Sequence, residues 1–220
     1  MKKLAVTVVL AWQLLHADTP NPPNIRVVNA ASFPEDTSLT PGAISSILGP
    51  NLANTTALAI DLTNVPHTLG GVTVTIGSTT LPRFYVSKTQ INARIGPSIP
   101  LGAAVLTVNS PTGTFTQNIV LPATSTPGVF SVFGTGTRDG AIQNAVTFAL
   151  GPYTVTTQGT PTYLAIYTTG LDFSSAPTVT IGGVSVDVKF HGDSPCCPRV
   201  ETPNGDASFA ATTANKFQIN

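Results

Sequence analysis

Cys196 and Cys197 are the only thiols in the sequence, and His191 and Asp193 lie just upstream, so four possible metal ligands crowd one short stretch. Zinc sites space their ligands in separated pairs, whereas neighbouring cysteines rarely turn toward one ion without contorting the backbone. A solvated loop is therefore the expectation here. A disulfide between the two is also disfavoured, because adjacent Cα atoms stand about 3.8 Å apart and disulfides usually need about 4.4 Å or more. Beyond this stretch, His67 is the other candidate general base of the mature chain, and no G-x-S-x-G elbow is present. Gly134-Thr135-Gly136 ahead of Arg138-Asp139-Gly140 resembles a phosphate loop only in part, since the third glycine is out of register. Glu35-Asp36 reads as a solvated acidic turn, and the remaining carboxylates are too scattered for a paired-acid site. The sequence thus assigns no catalytic, metal or cofactor-binding residue, requires no cofactor, and leaves the ligand-binding residues open. An enzyme is not expected.

Charge narrows the partners further. Ten basic and ten acidic residues give zero formal net charge, which offers no electrostatic grip on nucleic acid or an anionic membrane. At the start of the chain, Lys2 and Lys3 precede an apolar run from Leu4 to Leu15 that ends near Ala17. This is the pattern of a secretory signal, too short to remain as a membrane span of about 20 residues. Residues 1–17 are read as a signal peptide and 18–24, with Pro20, Pro22 and Pro23, as a proline-rich linker. Export to the extracellular space or cell surface follows, with no stable membrane span after cleavage.

The mature chain carries apolar runs of four to eight residues separated by Gly, Pro, Asn and Ser, with no sustained helical period. Strands are predicted at Ile25–Asn29, Ala43–Leu48, Val72–Ile76, Arg83–Val86, Ala104–Val108, Phe115–Leu121, Tyr163–Thr168 and Thr178–Ile181. An internal repeat organises them. Thr73-Val74-Thr75-Ile76-Gly77 returns as Thr178-Val179-Thr180-Ile181-Gly182, each followed by a second alternating strand, so one hairpin is used twice. Upstream, Ile47 to Leu52 matches Ile166 to Leu171, which aligns Asn51 with Gly170, two residue types that tolerate positive φ at a tight turn. Gln90-Ile91-Asn92 likewise matches Gln218-Ile219-Asn220. The first copy contains an extra segment, Ala53–Leu69, read as a surface insertion that includes the sequon Asn54-Thr55-Thr56.

The fold expected is all-β: an immunoglobulin-like sandwich over residues 25–126, a connecting segment over 127–160, and a second such domain over 161–220. That second domain is read as incomplete, with its pattern disturbed after about residue 192, and an insertion or a shifted reading frame near Pro198 would each account for it. The ordered motifs Val27-Val28-Asn29-Ala30-Ala31-Ser32-Phe33, Thr40-Pro41-Gly42-Ala43, Leu69-Gly70-Gly71-Val72, Tyr85-Val86-Ser87 and Pro127-Gly128-Val129-Phe130 together resemble IPT/TIG-like immunoglobulin modules of an uncharacterised family of secreted soil-bacterial proteins. The resemblance spans most of Ile25 to Phe190. It implies tandem E-set sandwiches and export, and brings no catalytic residues. The expected function is that of a non-catalytic binding or spacing module at the cell surface, in adhesion or envelope interaction, with an extracellular protein or polysaccharide as partner. The alternative expectation is an appendage of a larger secreted protein whose activity, such as polysaccharide binding or degradation, lies in other modules. The loops Ala53–Leu69 and Gly134–Gly140 are the expected presenting surfaces. Tyr85, Tyr153, Tyr163 and Tyr167 are the aromatics available for a sugar platform, since the single Trp12 falls in the signal segment.

Overall fold

The computed structural model describes residues 25–33, 39–61, 64–125, 127–134, 136, 139–157, 159–171, 177–190 and 215–219. Residues 1–17 and 18–24, read above as a signal peptide and a linker, lie outside them, as do Glu35-Asp36, His191, Asp193, Cys196 and Cys197. Among the described residues all regular structure is β, and every paired ladder is antiparallel.

The first half supplies nine strands: β1 (Arg26–Asn29), β2 (Ile44–Leu48), β3 (Ala57–Leu58), β4 (Thr73–Ile76), β5 (Thr79–Thr80), β6 (Arg83–Val86), β7 (Gln90–Arg94), β8 (Gly102–Ser110) and β9 (Gly113–Leu121). They form a five-stranded sheet in the order β1-β2-β7-β6-β3 and a four-stranded sheet in the order β5-β4-β8-β9. Alternation decides which side chains meet between them. Val27, Ile47, Ile91 and Ala93 from the first sheet share one buried cluster with Val74, Ile76, Leu106, Val108, Phe115, Ile119 and Leu121 from the second. Two sheets closing over one core are the layers of a sandwich. Each fully buried Val, Leu or Ile contributes about 1.5–3 kcal/mol, so this cluster is the main source of stability.

Turn chemistry fixes the register. Ser110 and Gly113 flank a two-residue turn that starts a nine-pair ladder from Ser110↔Gly113 to Gly102↔Leu121. Asn51, at φ 55°, and Gly170, at φ 81°, both occupy the left-handed region that the repeat anticipates. At Asn51 a side chain without a carboxamide is strained there, so Asn51→Ala is expected to cost about 1 kcal/mol and Asn51→Gly only a few tenths. Urea midpoints of the two variants check this difference.

The second half contains β10 (Gly128–Val129), β11 (Ile142–Asn144), β12 (Thr156–Thr157), β13 (Thr160–Pro161), β14 (Leu164–Thr169), β15 (Val179–Ile181), β16 (Val184–Val186), β17 (Val188–Phe190) and β18 (Asn215–Ile219). Here β10-β14-β18-β17 form one sheet, with β11 also paired to β14. The order repeats β1-β2-β7-β6 of the first half. The hairpin repeats as well: Ile76↔Thr79 and Thr75↔Thr80 correspond pair for pair to Ile181↔Val184 and Thr180↔Ser185. The Gln-Ile-Asn match is looser, because Gln90 faces Leu48 whereas Gln218 faces Ala165, two residues from Tyr167, the counterpart of Leu48.

Two expectations change. The 127–160 segment is more than a connector, since it gives β10 and β11 to the second sheet and β12 to a separate two-stranded ladder. The Ala53–Leu69 segment is more than a surface excursion, since it adds β3 to the edge of the first sheet through Ala57↔Val86 and Leu58↔Tyr85. Both were hidden for the same reason: strands of two or three residues carry too few side chains to show a period.

Candidate interaction surface

The inserted segment is anchored along its length. Leu52 and Ala53 are buried at its start. In its middle, β3 pairs with β6, and the Ala59 amide donates to the Phe84 carbonyl at 2.8 Å. Toward its end, the Arg83 amide donates to the Pro66 carbonyl at 3.0 Å, and His67 Nδ1 lies 3.0 Å from the Thr80 carbonyl, within hydrogen-bonding reach. The segment closes through Leu69-Gly70-Gly71-Val72, where Gly70 and Gly71 take φ of 57° and 74°. Only a residue without a side chain enters that two-residue turn freely, and Gly70 also packs against Thr55 and Ala57.

The tip held by these anchors is apolar. Ile60 is 98% exposed and Leu58 44% exposed, while Ala59 between them is buried. Strand alternation turns Leu58 and Ile60 outward together. Asn54, Thr55 and Thr56 are exposed beside them. Leu58 and Ile60 therefore form an exposed apolar pair flanked by the exposed polar residues Asn54, Thr55, Thr56 and Asp61.

A second feature joins the two halves. Asn29 Oδ1 accepts from the Ala31 amide at 2.9 Å and shapes the turn that places Phe33 at φ 46°. Against this turn lies Gly128, where a Cβ would stand 2.5 Å from Asn29 Oδ1 and 2.8 Å from Ser32 Oγ. Gly136 approaches Phe33 as closely. Phe130 packs on the cluster of Ala30, Ile44 and Phe84, and the Ile44 amide donates to Thr169 Oγ1 at 2.9 Å in a buried contact. The motifs Val27 to Phe33 and Pro127 to Phe130, quoted separately above, therefore meet in space as one junction.

Beside the junction, the outward face of the first sheet carries a polar ladder. Ser46 Oγ and Gln90 Nε2 both donate to Asn92 Oδ1, at 3.0 and 2.8 Å. The Gln-Ile-Asn motif is thereby explained, with Ile91 in the core and its neighbours on this ladder. On the core side stands Arg83, fully buried, with Nη1 donating to the Leu81 carbonyl at 2.8 Å and Nε and Nη2 without partners. Desolvation by burial lowers its pKa from the ordinary guanidinium value to about 10, so it stays charged at neutral pH.

The remaining candidates are dispersed. His67 is tied to a backbone carbonyl rather than to a nucleophile. Gly134 and Gly136 belong to a turn held by the Ser131 carbonyl and hydroxyl. Tyr85 is buried in β6, the Tyr167 hydroxyl accepts from Gln143 at 2.6 Å, and the Tyr153 hydroxyl donates to the Ile142 carbonyl, so these aromatics do not line up as a platform. Among the described residues, no three His, Cys, Asp or Glu side chains gather as a metal site, and no helix is long and apolar enough to cross a membrane. Sequence reasoning named Phe130 only within a motif and Arg83 only within a strand, and it missed Thr169. A lone arginine opening the otherwise apolar Arg83–Val86 strand was the one signal available. Compared with known protein families and curated proteins, the chain has no match.

Proposed function

We propose that this chain is an exported, non-catalytic binding and spacing protein built from two tandem immunoglobulin-like modules of the IPT/TIG type, acting in adhesion or envelope interaction. The observation that carries the reading is the apolar tip at Leu58 and Ile60, presented by a segment anchored to the sheet on either side of it. Holding such a side chain in water is unfavourable by about 25 cal/mol for each Å² of apolar surface, and a partner that covers it recovers that term. Preorganisation adds to this, because a tip already fixed loses little entropy on binding. The shared strand order and the hairpin repeat support tandem modules. The junction between the halves supports a spacer of set geometry rather than a flexible string.

The test is retention of the purified protein on immobilised bacterial envelope polysaccharide and on extracellular protein surfaces, with the bound material assayed for chemical change. Saturable retention without turnover is expected, and Ile60→Asp is expected to weaken it about tenfold or more. Turnover of the bound material, or retention unchanged by Ile60→Asp, would overturn the reading.

A further inference from the structure

Between β11 and β12 the chain makes an excursion whose apolar side chains face water. Residues 146–156 are all exposed, among them Val146 at 73%, Phe148 at 59% and Val155 at 88%, together with Leu150 and Tyr153. The backbone beneath them is held fast. The Ala145 amide donates to the Tyr163 carbonyl at 2.8 Å, and the Val146 and Thr147 amides both donate to Asn144 Oδ1, at 2.8 and 2.9 Å. The Phe148 amide donates to the Asn144 carbonyl at 2.9 Å, and the Ala149 amide to Thr147 Oγ1 at 3.4 Å. The donors of residues 145–149 are thus all satisfied inside the protein. The base is tied as well, by the Tyr153 hydroxyl donating to the Ile142 carbonyl and the Thr162 amide donating to the Val155 carbonyl. Phe148 itself sits at φ 60°, in the left-handed region where asparagine or glycine is at ease and a bulky side chain is strained. Packing within the described residues does little to offset that strain, since Phe148 is more than half exposed.

We infer that this excursion docks on the zwitterionic surface of a lipid bilayer, entering to the boundary between headgroups and acyl chains. Backbone chemistry favours lipid over a protein partner. An amide that leaves water for hydrocarbon is costly there unless it is paired internally, and the amides of residues 145–149 meet that demand in advance. The same pairing leaves few donors to specify a protein, whose interfaces carry about one hydrogen bond per 100–200 Å². Charge points the same way. Residues 140–171 contain no Asp, Glu, Lys, Arg or His, so the tip enters without desolvating an ion and gains nothing from anionic headgroups. The chain's own remaining residues suit this face less well, because 172–176 and 191–214 would bring Asp172, Asp193, Arg199, Glu201 and Asp206 toward it. The inference goes beyond the proposed function and does not rest on it, because Leu58 and Ile60 belong to the first half.

The probe is sedimentation of the full chain with sucrose-loaded phosphatidylcholine vesicles, at low and at high salt. Saturable partition that salt does not weaken is expected. Phe148→Asn keeps the left-handed turn and removes the ring, so it is expected to weaken partition about tenfold or more. Val146→Asp places a charge at the tip and is expected to abolish it. Unchanged exchange protection of the Tyr167 amide, which donates to the Ala141 carbonyl beside the excursion, shows that both variants remain folded. Absence of partition overturns the inference, as it would if the chain's own residues covered the tip. Binding that requires phosphatidylglycerol and fades with salt also overturns it, because charge is then the attraction. Partition indifferent to both variants places the contact elsewhere, as on the apolar run from Leu4 to Leu15, and overturns it too. A dimer formed without vesicles that dissolves on Phe148→Asn assigns the tip to a second copy of the chain and overturns lipid docking.

Discussion

Replacing Arg83 by methionine is expected to raise the stability of the protein, by about 2 kcal/mol. The side chain is fully buried and two of its three nitrogens lack hydrogen-bond partners. The lowering of its pKa by burial to about 10 corresponds to about 3 kcal/mol of disfavour for the charged form in the fold. Methionine removes that penalty and keeps a long, adaptable apolar stem, at the expense of about 1 kcal/mol for the Leu81 carbonyl that loses its donor. Because the folded pKa lies below the unfolded one, the penalty is fully present at every pH below about 10 and is relieved as pH rises from there toward the unfolded value. The gain in Arg83→Met is therefore expected to be constant from mildly acidic to mildly basic pH. Urea unfolding of both proteins across that range measures it. A loss of stability in Arg83→Met would show that the guanidinium is better compensated than its contacts indicate.

Gly128→Val is expected to have the opposite effect and to act on coupling rather than on either core. Its first side-chain carbon would stand 2.5 Å from Asn29 Oδ1, closer than carbon and oxygen can approach. Asn29 would have to leave the Ala31 amide, and β10 would lift from the turn with Phe130 behind it. Losing that packing together with the contact of Ile44 with Thr169 costs about 2–4 kcal/mol. Calorimetry is expected to split one transition into two, with the second half melting first, and the Ile44 amide is expected to lose protection from exchange. A single unshifted transition would sink the idea. Gly128→Ala tests the same contact with less bulk and is expected to fall between the two.

Periodicity made the long strands readable and left the short ones dark. Thr73–Ile76, Ala104–Val108 and Phe115–Leu121 alternate through enough residues to declare both strand and inward face, and the structure places Val74, Ile76, Leu106, Val108, Phe115, Ile119 and Leu121 in one core. Asn51 and Gly170 were legible because positive φ restricts residue type. By contrast, Ala57–Leu58 and Gly128–Val129 are strands only because partners distant in sequence hold them, at Tyr85 and Val86 and at Thr168 and Thr169. The apolar tip escaped notice for a related reason. Ile60 looks like any core isoleucine until the burial of Ala59 turns it outward. Arg83 showed a charge in the sequence but not its isolation, which is a property of everything packed around it.

The junction also sets how the protein answers a pull on its ends. Leu121 ends β9 and Gly128 begins β10, and the six residues between them would extend by at most about 3.5 Å each. While Phe130 and Thr169 stay seated, a load on β10 is shared with the turn at Asn29 and with β2 at Ile44. Once they are dragged out, the connection itself can span a couple of nanometres at most before it is taut. The two glycines that allow this close seating, Gly128 and Gly136, thus set how the halves share a load before that short connection alone must carry it.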